Sequence, residues 1–307
     1  MKILYIGKFE LPHRTENYVS WALEKLGHEV TKLDYQCCDG LSDPSRAWIM
    51  KTRGVYPDLV LFSKNCPRES KQYLEWLKER GITTVCWQWD LFFNHHLRHH
   101  RPLPAHFKEV DFLFTTDSGN HERFLEVGCN HHVLRQGIHE PEAFQVEQEP
   151  TIDVAFVGSV RGSHPSRRRL IYFLQNMYRN RFRQVDNKRG KALNNFLSRS
   201  KVIVGDSYPS KDYWSNRVYE ITGRGGFLIH PRIEGEEFEK EFPLVESGVF
   251  GYQRDDFQDL KFSIDKLIEE DGFRNELRED SFKWTKKRYT YTKRVEELLE
   301  VIQPSLV

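Results

Sequence analysis

The chain has 307 residues, long for one domain and comfortable for two. Hydrophobic residues make up 38% and the formal net charge is +1, so packed cores are expected and a generally basic nucleic-acid coat is not. Five cysteines, with no CxxC pair, argue against a disulfide framework or a zinc knuckle and point to a reduced, cytoplasmic compartment.

Met1 leads directly into an apolar strand, without a signal peptide. No apolar run approaches the ~20 residues of a membrane span, so a soluble protein is expected. Lys2–Gly7 reads as that strand. Glu16–Leu26 has helical spacing through Val19, Ala22, Leu23 and Leu26, and Gly27 ends it. His28–Leu33 reads as the next strand, so the opening is βαβ, the unit of a parallel sheet. The rhythm continues with strand Asp58–Ser63, helix Pro67–Arg80, strand Ile82–Cys86, strand Phe112–Thr115, a helix over Asn120–Val127 and strand His131–Leu134. Several strand runs are apolar throughout, as expected when helices cover both faces of a sheet.

Gly137–Thr151, with two prolines and several acidic or amide residues, reads as a linker. The pattern then restarts. Ile152–Gly158 (IDVAFVG) echoes Lys2–Gly7 (KILYIG). Strand Phe182–Asp186, a helix near Lys191–Arg199 and strand Lys201–Gly205 follow. A helix is expected from about Trp214 to Gly223, then strand Phe227–His230, strand Val249–Tyr252 and a helical tail from Asp255 to Ile302. The expected architecture is α/β: two Rossmann-like domains facing each other across a cleft. Residues 1–140 form the first, and residues 151–307, with the tail, form the second.

Open α/β sheets bind ligands at the carboxyl ends of their strands. That rule selects Gly7, at the end of the first strand, and Gly158, Ser159 and Arg161 after the restart strand. Arg161 and the helix N-terminus behind Pro165 are candidates for a diphosphate. Arg167, Arg168 and Arg169 read as solvated or nucleic-acid-facing. Asn216, Arg217 and Glu220 fall three or four apart and share a helix face, where a carboxylate can accept from ribose hydroxyls. Gly223, Gly225 and Gly226 would let backbone approach a ligand closely, the competing reading being a surface helix with a glycine cap. Trp87–Asp90 (WQWD) offers Asp90 as a general base and two tryptophans to stack on a sugar or a base; a helix cap with core tryptophans competes.

His95 with His99, or His96 with His100, would share a helix face as a metal pair. No carboxylate stands at an HExxH position, and no metal site is expected. GxGxxG is absent, which disfavours a nicotinamide dehydrogenase. A basic, aromatic stretch from Tyr172 to Arg199 could contact phosphates if its charges share a face; a solvated helix face followed by a strand is the plainer reading.

The motifs, taken in order, resemble the group 1 glycosyltransferases that include the CgeB-like proteins. The resemblance rests on DVAFVGS at Asp153–Ser159, SKVIVG at Ser200–Gly205, NRVYEITGRGGFLIH at Asn216–His230 and YTKRVEELL at Tyr291–Leu299. In the first half, WQWD and Phe112–Gly128 look like the family's corresponding segments. It implies a GT-B glycosyltransferase, with an N-terminal acceptor domain and a C-terminal nucleotide-sugar domain. It further implies transfer from a nucleotide-diphosphate sugar, a UDP-sugar being favoured, to a hydroxyl of a glycan, metabolite or protein, with no cofactor required. Related enzymes carry an E-x7-E pair touching donor sugar and ribose. Asp212 and Glu220 have that spacing, with Asp in the first place, so the resemblance gives Asp212 a catalytic role near the sugar and Glu220 the ribose. Two alternatives stay open: a phage-type DNA glycosyltransferase acting on a hydroxymethylated pyrimidine, and a non-catalytic protein that binds nucleotide or nucleic acid.

Overall fold

The computed structural model describes residues 1–34, 49–63, 71–93, 103–160 and 165–305. The chain divides into two units: Met1–Gln136 together with the last helix, and Gly137–Thr290.

The first unit is a parallel sheet of β1 (Lys2–Gly7), β2 (Glu29–Asp34), β3 (Leu59–Ser63), β4 (Thr83–Gln88), β5 (Phe112–Thr115) and β6 (His131–Val133). Its strand order is β2-β1-β3-β4-β5-β6. Successive side chains point to opposite faces. Ile3, Tyr5, Leu59, Leu61, Val85 and Trp87 enter one core, against Val19, Ala22 and Leu23 of the helix Thr15–Lys25. Leu4, Ile6, Val60, Phe62 and Cys86 enter the other, against Leu74 and Leu77 of the helix Lys71–Lys78. Burial on both faces is why the middles of these strands carry apolar side chains at successive positions.

The second unit repeats the plan with β7 (Ile152–Val157), β8 (Phe182–Val185), β9 (Ser200–Val204), β10 (Leu228–Pro231) and β11 (Phe250–Tyr252), in the order β11-β10-β9-β7-β8. Ala155, Val157, Ile203 and Leu228 pack under the helices Gly190–Ser198 and Arg217–Thr222. Val154, Phe156, Val202, Val204 and Ile229 pack under Pro165–Tyr178 and Phe257–Glu269. In each sheet the winding reverses beside the first strand, between β1 and β3 and between β7 and β9. At such a switch point the flanking loops part and leave a crevice for a ligand.

Two expectations change. Gly137–Thr151 is laced onto the second unit rather than strung free. Asn194 Nδ2 donates to the carbonyls of Glu142 (2.9 Å) and Phe144 (2.7 Å), and Gln148 Nε2 donates to Asn195 O (2.8 Å). The buried Arg224 forms an ion pair with Glu142. The tail is also divided. The helix Asp271–Arg288 stays with the second unit, whereas Tyr291–Ile302 belongs to the first. Its apolar stripe of Tyr291, Val295, Leu298 and Ile302 is buried in the core beside the helix Thr15–Lys25, with the Tyr18 and Tyr291 rings 5.7 Å apart. Among the described residues no helix is long and apolar enough to cross a membrane.

Candidate functional site

The β7/β9 switch point is built from two short loops. β7 runs into Gly158, whose φ of 152° suits glycine, and whose N–H donates to Val185 O (2.8 Å). Ser159 follows, and Arg161 lies outside the described residues. β9 runs into Gly205, Asp206 and Ser207. Asp206 is 5% exposed, and each of its carboxylate oxygens takes a different guanidinium. Arg167 Nε donates to Oδ2 at 2.8 Å, and Arg254 Nη1 to Oδ1 at 3.2 Å. Arg167 also donates to Ser159 O (3.3 Å), and Arg254 to Ser207 O (3.0 Å).

A carboxylate this deep is tolerable only when paired and hydrogen-bonded. One anion facing two cations leaves the spot positive. Arg167 moreover stands in the first turn of the fourteen-residue helix Pro165–Tyr178, where the helix dipole already favours negative charge. The arrangement suits a bound anion. Arg167, expected to be solvated or nucleic-acid-facing, is instead paired with Asp206 at the candidate site. Asp206 and Arg254 were not singled out by the sequence at all.

Behind this pair runs a directed chain of hydrogen bonds. His230, at 1% exposure, has Nδ1 2.9 Å from Pro231 O, an atom that only accepts, so Nδ1 carries the proton. Nε2 then accepts, and Ser207 Oγ, 2.9 Å away, donates to it. The Ser207 oxygen in turn accepts from the N–H of Ser215 (2.9 Å). Burial pushes the His230 imidazole down to about 3, with Arg254 lowering it further against the opposing pull of Asp206, so the ring is neutral at ordinary pH.

Helix Arg217–Thr222 follows, shorter than the expected start at Trp214. Its late start has a cause. The Ser215 N–H is turned to Ser207, and Asp212 takes a left-handed φ of 49°. Arg217 forms an ion pair with Glu220, and Asn216, at the helix cap, has its Oδ1 buried without a partner among the described residues. Asp212 is placed otherwise than its spacing suggests. Its N–H donates to Glu234 O (2.7 Å), and its carboxylate accepts from Glu237 N (3.0 Å) at the start of the helix Glu237–Glu241. A Cβ at Gly235 would stand 2.0 Å from Asp212 Oδ1. The carboxylate is wrapped by the 234–237 loop and acts as its cap.

The three glycines after this helix are also needed by the protein itself. A Cβ would stand 2.7 Å from Tyr219 O and 2.9 Å from Ile138 at Gly223, 2.4 Å from Gln145 at Gly225, and 2.8 Å from Ile221 at Gly226. What approaches this backbone is the 138–145 segment and the helix, and these contacts by themselves account for the glycines.

In the first unit, Gly7 has the same reason for being glycine: a Cβ there would meet Ser63 Oγ at 2.7 Å and the buried Glu16 side chain at 2.8 Å. Trp87 and Trp89 are core residues, edge-on with centroids 5.9 Å apart, and Trp87 Nε1 donates to Leu134 O (3.1 Å). They provide no stacking platform. Asp90 is half-buried just past β4. Its loop is held on both sides by the loop after β5: Thr116 Oγ1 donates to Trp89 O (3.2 Å), and the Asp117 carboxylate accepts from the backbone of Phe92 and Phe93 and from Asn120 Nδ2 (2.7 Å). Burial raises Asp117 to about 6, these hydrogen bonds opposing the rise.

The four histidines of the proposed metal pairs lie outside the described residues. Among the described residues no group of three or more His, Cys, Asp and Glu side chains could hold a metal ion. The basic stretch 172–199 is divided among a helix, a 3-10 turn, β8 and the next helix, so its charges share no single helix face.

Residues 142–300 match the family model described as glycosyl transferase-like. No curated protein matches the chain. Among solved structures it is similar to a sucrose-phosphate synthase from Thermosynechococcus elongatus (10% identity, TM-score 0.69, 99% of this chain and 98% of that one). It is also similar to Anabaena HepE in complex with UDP-glucose (11%, 0.68, 99% and 100%) and to a glycosyltransferase from Rickettsia africae (12%, 0.68, 99% and 98%). The two parallel-sheet α/β units are those of the GT-B architecture. With the family model spanning more than half its length, the chain belongs to the glycosyl transferase-like family.

Proposed function

We propose that the protein transfers a sugar from a nucleoside-diphosphate sugar to a hydroxyl acceptor. The observation that carries this reading is the buried Asp206 holding Arg167 and Arg254 at the β7/β9 switch point, where a diphosphate finds positive charge and a helix N-terminus together. The second unit is read as the donor domain and the first as the acceptor domain. Gly158, Ser159 and Arg167 face the diphosphate. Glu220 accepts from the ribose hydroxyls, with Arg217 holding it in place, and Asn216 at the helix cap is a further donor-binding residue. UDP is the favoured nucleotide, because HepE, of the same architecture, was solved with UDP and with UDP-glucose.

The acceptor oxygen attacks the anomeric carbon, and the bond from that carbon to the phosphate oxygen breaks. The diphosphate leaves with the electron pair, and the acceptor proton passes to the Asp90 carboxylate. Negative charge grows on the leaving diphosphate, so preorganised guanidiniums stabilise the transition state more than the ground state.

A thermal-shift panel of UDP, ADP, GDP and TDP on wild type and Glu220→Ala tests the reading. A ligand at 100 times its Kd adds about 2.7 kcal/mol of stability. One nucleoside diphosphate should stabilise wild type and lose that effect in the variant. Failure of all four to shift wild type overturns the reading.

A further inference from the structure

Beside the paired arginines lies a cavity of about 340 Å³ at the carboxyl ends of β10 and β11. That volume falls at the small end of ordinary ligand pockets, roughly 300–1,000 Å³, and suits a monosaccharide ring. Its walls are mainly polar, with Ser210, Arg232, Glu234, Gln253 and Arg254 beside Pro209 and Ile233.

Arg254 belongs to both the switch point and the cavity. Its Nη1 is held by Asp206 Oδ1 and Ser207 O, whereas its Nε and Nη2 have no partner among the described residues. The guanidinium is fixed at one end, with its remaining donors free for the cavity it lines. Arg232, on the next loop, has no side-chain partner among the described residues, and its stem lies over Gly251 of β11, where a Cβ would stand 3.3 Å from Arg232 Cγ. Two guanidiniums therefore line one small cavity that holds a single carboxylate, Glu234.

We propose that this cavity takes the sugar of the donor and that the sugar is acidic, a hexuronic acid. The inference rests on the donor-site reading above. One carboxylate on the sugar matches the two arginines, because planar guanidiniums pair with carboxylates through parallel hydrogen bonds. The ring hydroxyls match the rest of the lining: they donate to Glu234 and to the Gln253 carbonyl. Asp206 fixes the order of the parts. One of its oxygens holds Arg167 on the diphosphate side, and the other holds Arg254 on the sugar side.

Calorimetric titration of the full chain with UDP-glucose and UDP-glucuronic acid is the test, or with GDP-mannose and GDP-mannuronic acid if GDP is the nucleotide that binds. The acidic donor should bind about tenfold tighter or more, the effect expected of a charged hydrogen-bonded pair. Arg232→Gln, on an exposed side chain, should bring the two affinities together, and so should Arg254→Gln if it folds. Rising salt should narrow the gap as well. Equal or tighter binding of the neutral donor overturns the inference and leaves the donor site standing. A preference for the acidic donor that survives Arg232→Gln overturns the assignment of the cavity. Failure of every nucleotide to bind removes the donor site and the inference together.

Discussion

Ser207 donates to His230, and not the reverse, because the proton of His230 sits on Nδ1 against Pro231 O. That direction leaves the Ser207 oxygen free to accept from the Ser215 N–H and so sets where the helix bearing Glu220 begins. His230→Phe should leave the Ser207 hydroxyl buried without an acceptor, at about 1–3 kcal/mol of stability. The pH dependence gives a second reading. The folded value of His230 lies below its unfolded one, so its contribution is full above pH 6.5 and is lost as pH falls toward about 3. The variant should lose stability less steeply over that window, by up to ~1.4 kcal/mol per pH unit. Parallel unfolding curves for the two proteins from pH 6.5 downward would show that His230 is not held neutral.

Asp206→Ala should be among the most destabilising changes in the second unit. It strands two guanidiniums that retain only 22% and 19% side-chain exposure. Breaking a buried pair from one side typically costs about 3–5 kcal/mol, and the partial exposure here places the loss toward the lower end. The midpoint of urea unfolding measures it. Removing the cations as well, in Arg167→Met with Arg254→Met, should recover part of the loss. A single variant as stable as wild type would mean that the arginines are adequately solvated without their carboxylate.

The central strands were legible because their apolar runs are buried on both faces, as in Leu59–Ser63, and Phe112–Thr115 falls where the sequence places it. The start of the helix before Glu220 was not, because it depends on a serine hydroxyl outside the helix. Asp206 was invisible for a related reason: its two arginines lie 39 and 48 positions away, and no local spacing marks them. Asp212 shows a different limit. Its eight-residue separation from Glu220 is real, but a left-handed backbone turns its carboxylate to Glu237 N. At Gly223, Gly225 and Gly226 the sequence marks a close approach without naming Ile138, Gln145 and Ile221 as the atoms a Cβ would meet. Sequence pattern carries periodic burial well and carries the identity of a distant partner poorly.

Gly225→Ala separates the two readings of that glycine. Its φ is +73°, and a Cβ would press within 2.4 Å of Gln145, whose amide holds Glu279 at 3.0 Å. Left-handed strain adds about 1–2 kcal/mol and overpacking about 1–3 kcal/mol. The melting temperature should therefore drop, while the affinity of the folded protein for a nucleoside diphosphate stays as it was. Unchanged stability with lost affinity would restore the ligand to this turn.

Asp117 supplies a carboxylate with the opposite pH signature to His230. Burial holds it at about 6, above its ordinary 3.8, so the folded state binds its proton more tightly than the unfolded chain does. Its contribution to stability is present below pH 3.8 and is lost as pH rises through 6. Asp117→Asn keeps an oxygen for the Phe92 and Phe93 N–H groups and removes the buried charge. The stability of the variant relative to wild type should climb between pH 4 and 6 and level off above, measured by denaturant unfolding at each pH. The amide brings a donor that faces Asn120 Nδ2, so Asn120 must turn its carbonyl inward for the gain to be realised. The Asp117→Asn variant should then keep the Asp90 loop anchored, and Asp117→Ala, which offers no acceptor, should lie below Asp117→Asn by about 1–3 kcal/mol at every pH. A flat difference between Asp117→Asn and wild type across pH 4–6 would show that the carboxylate titrates as an ordinary solvated acid.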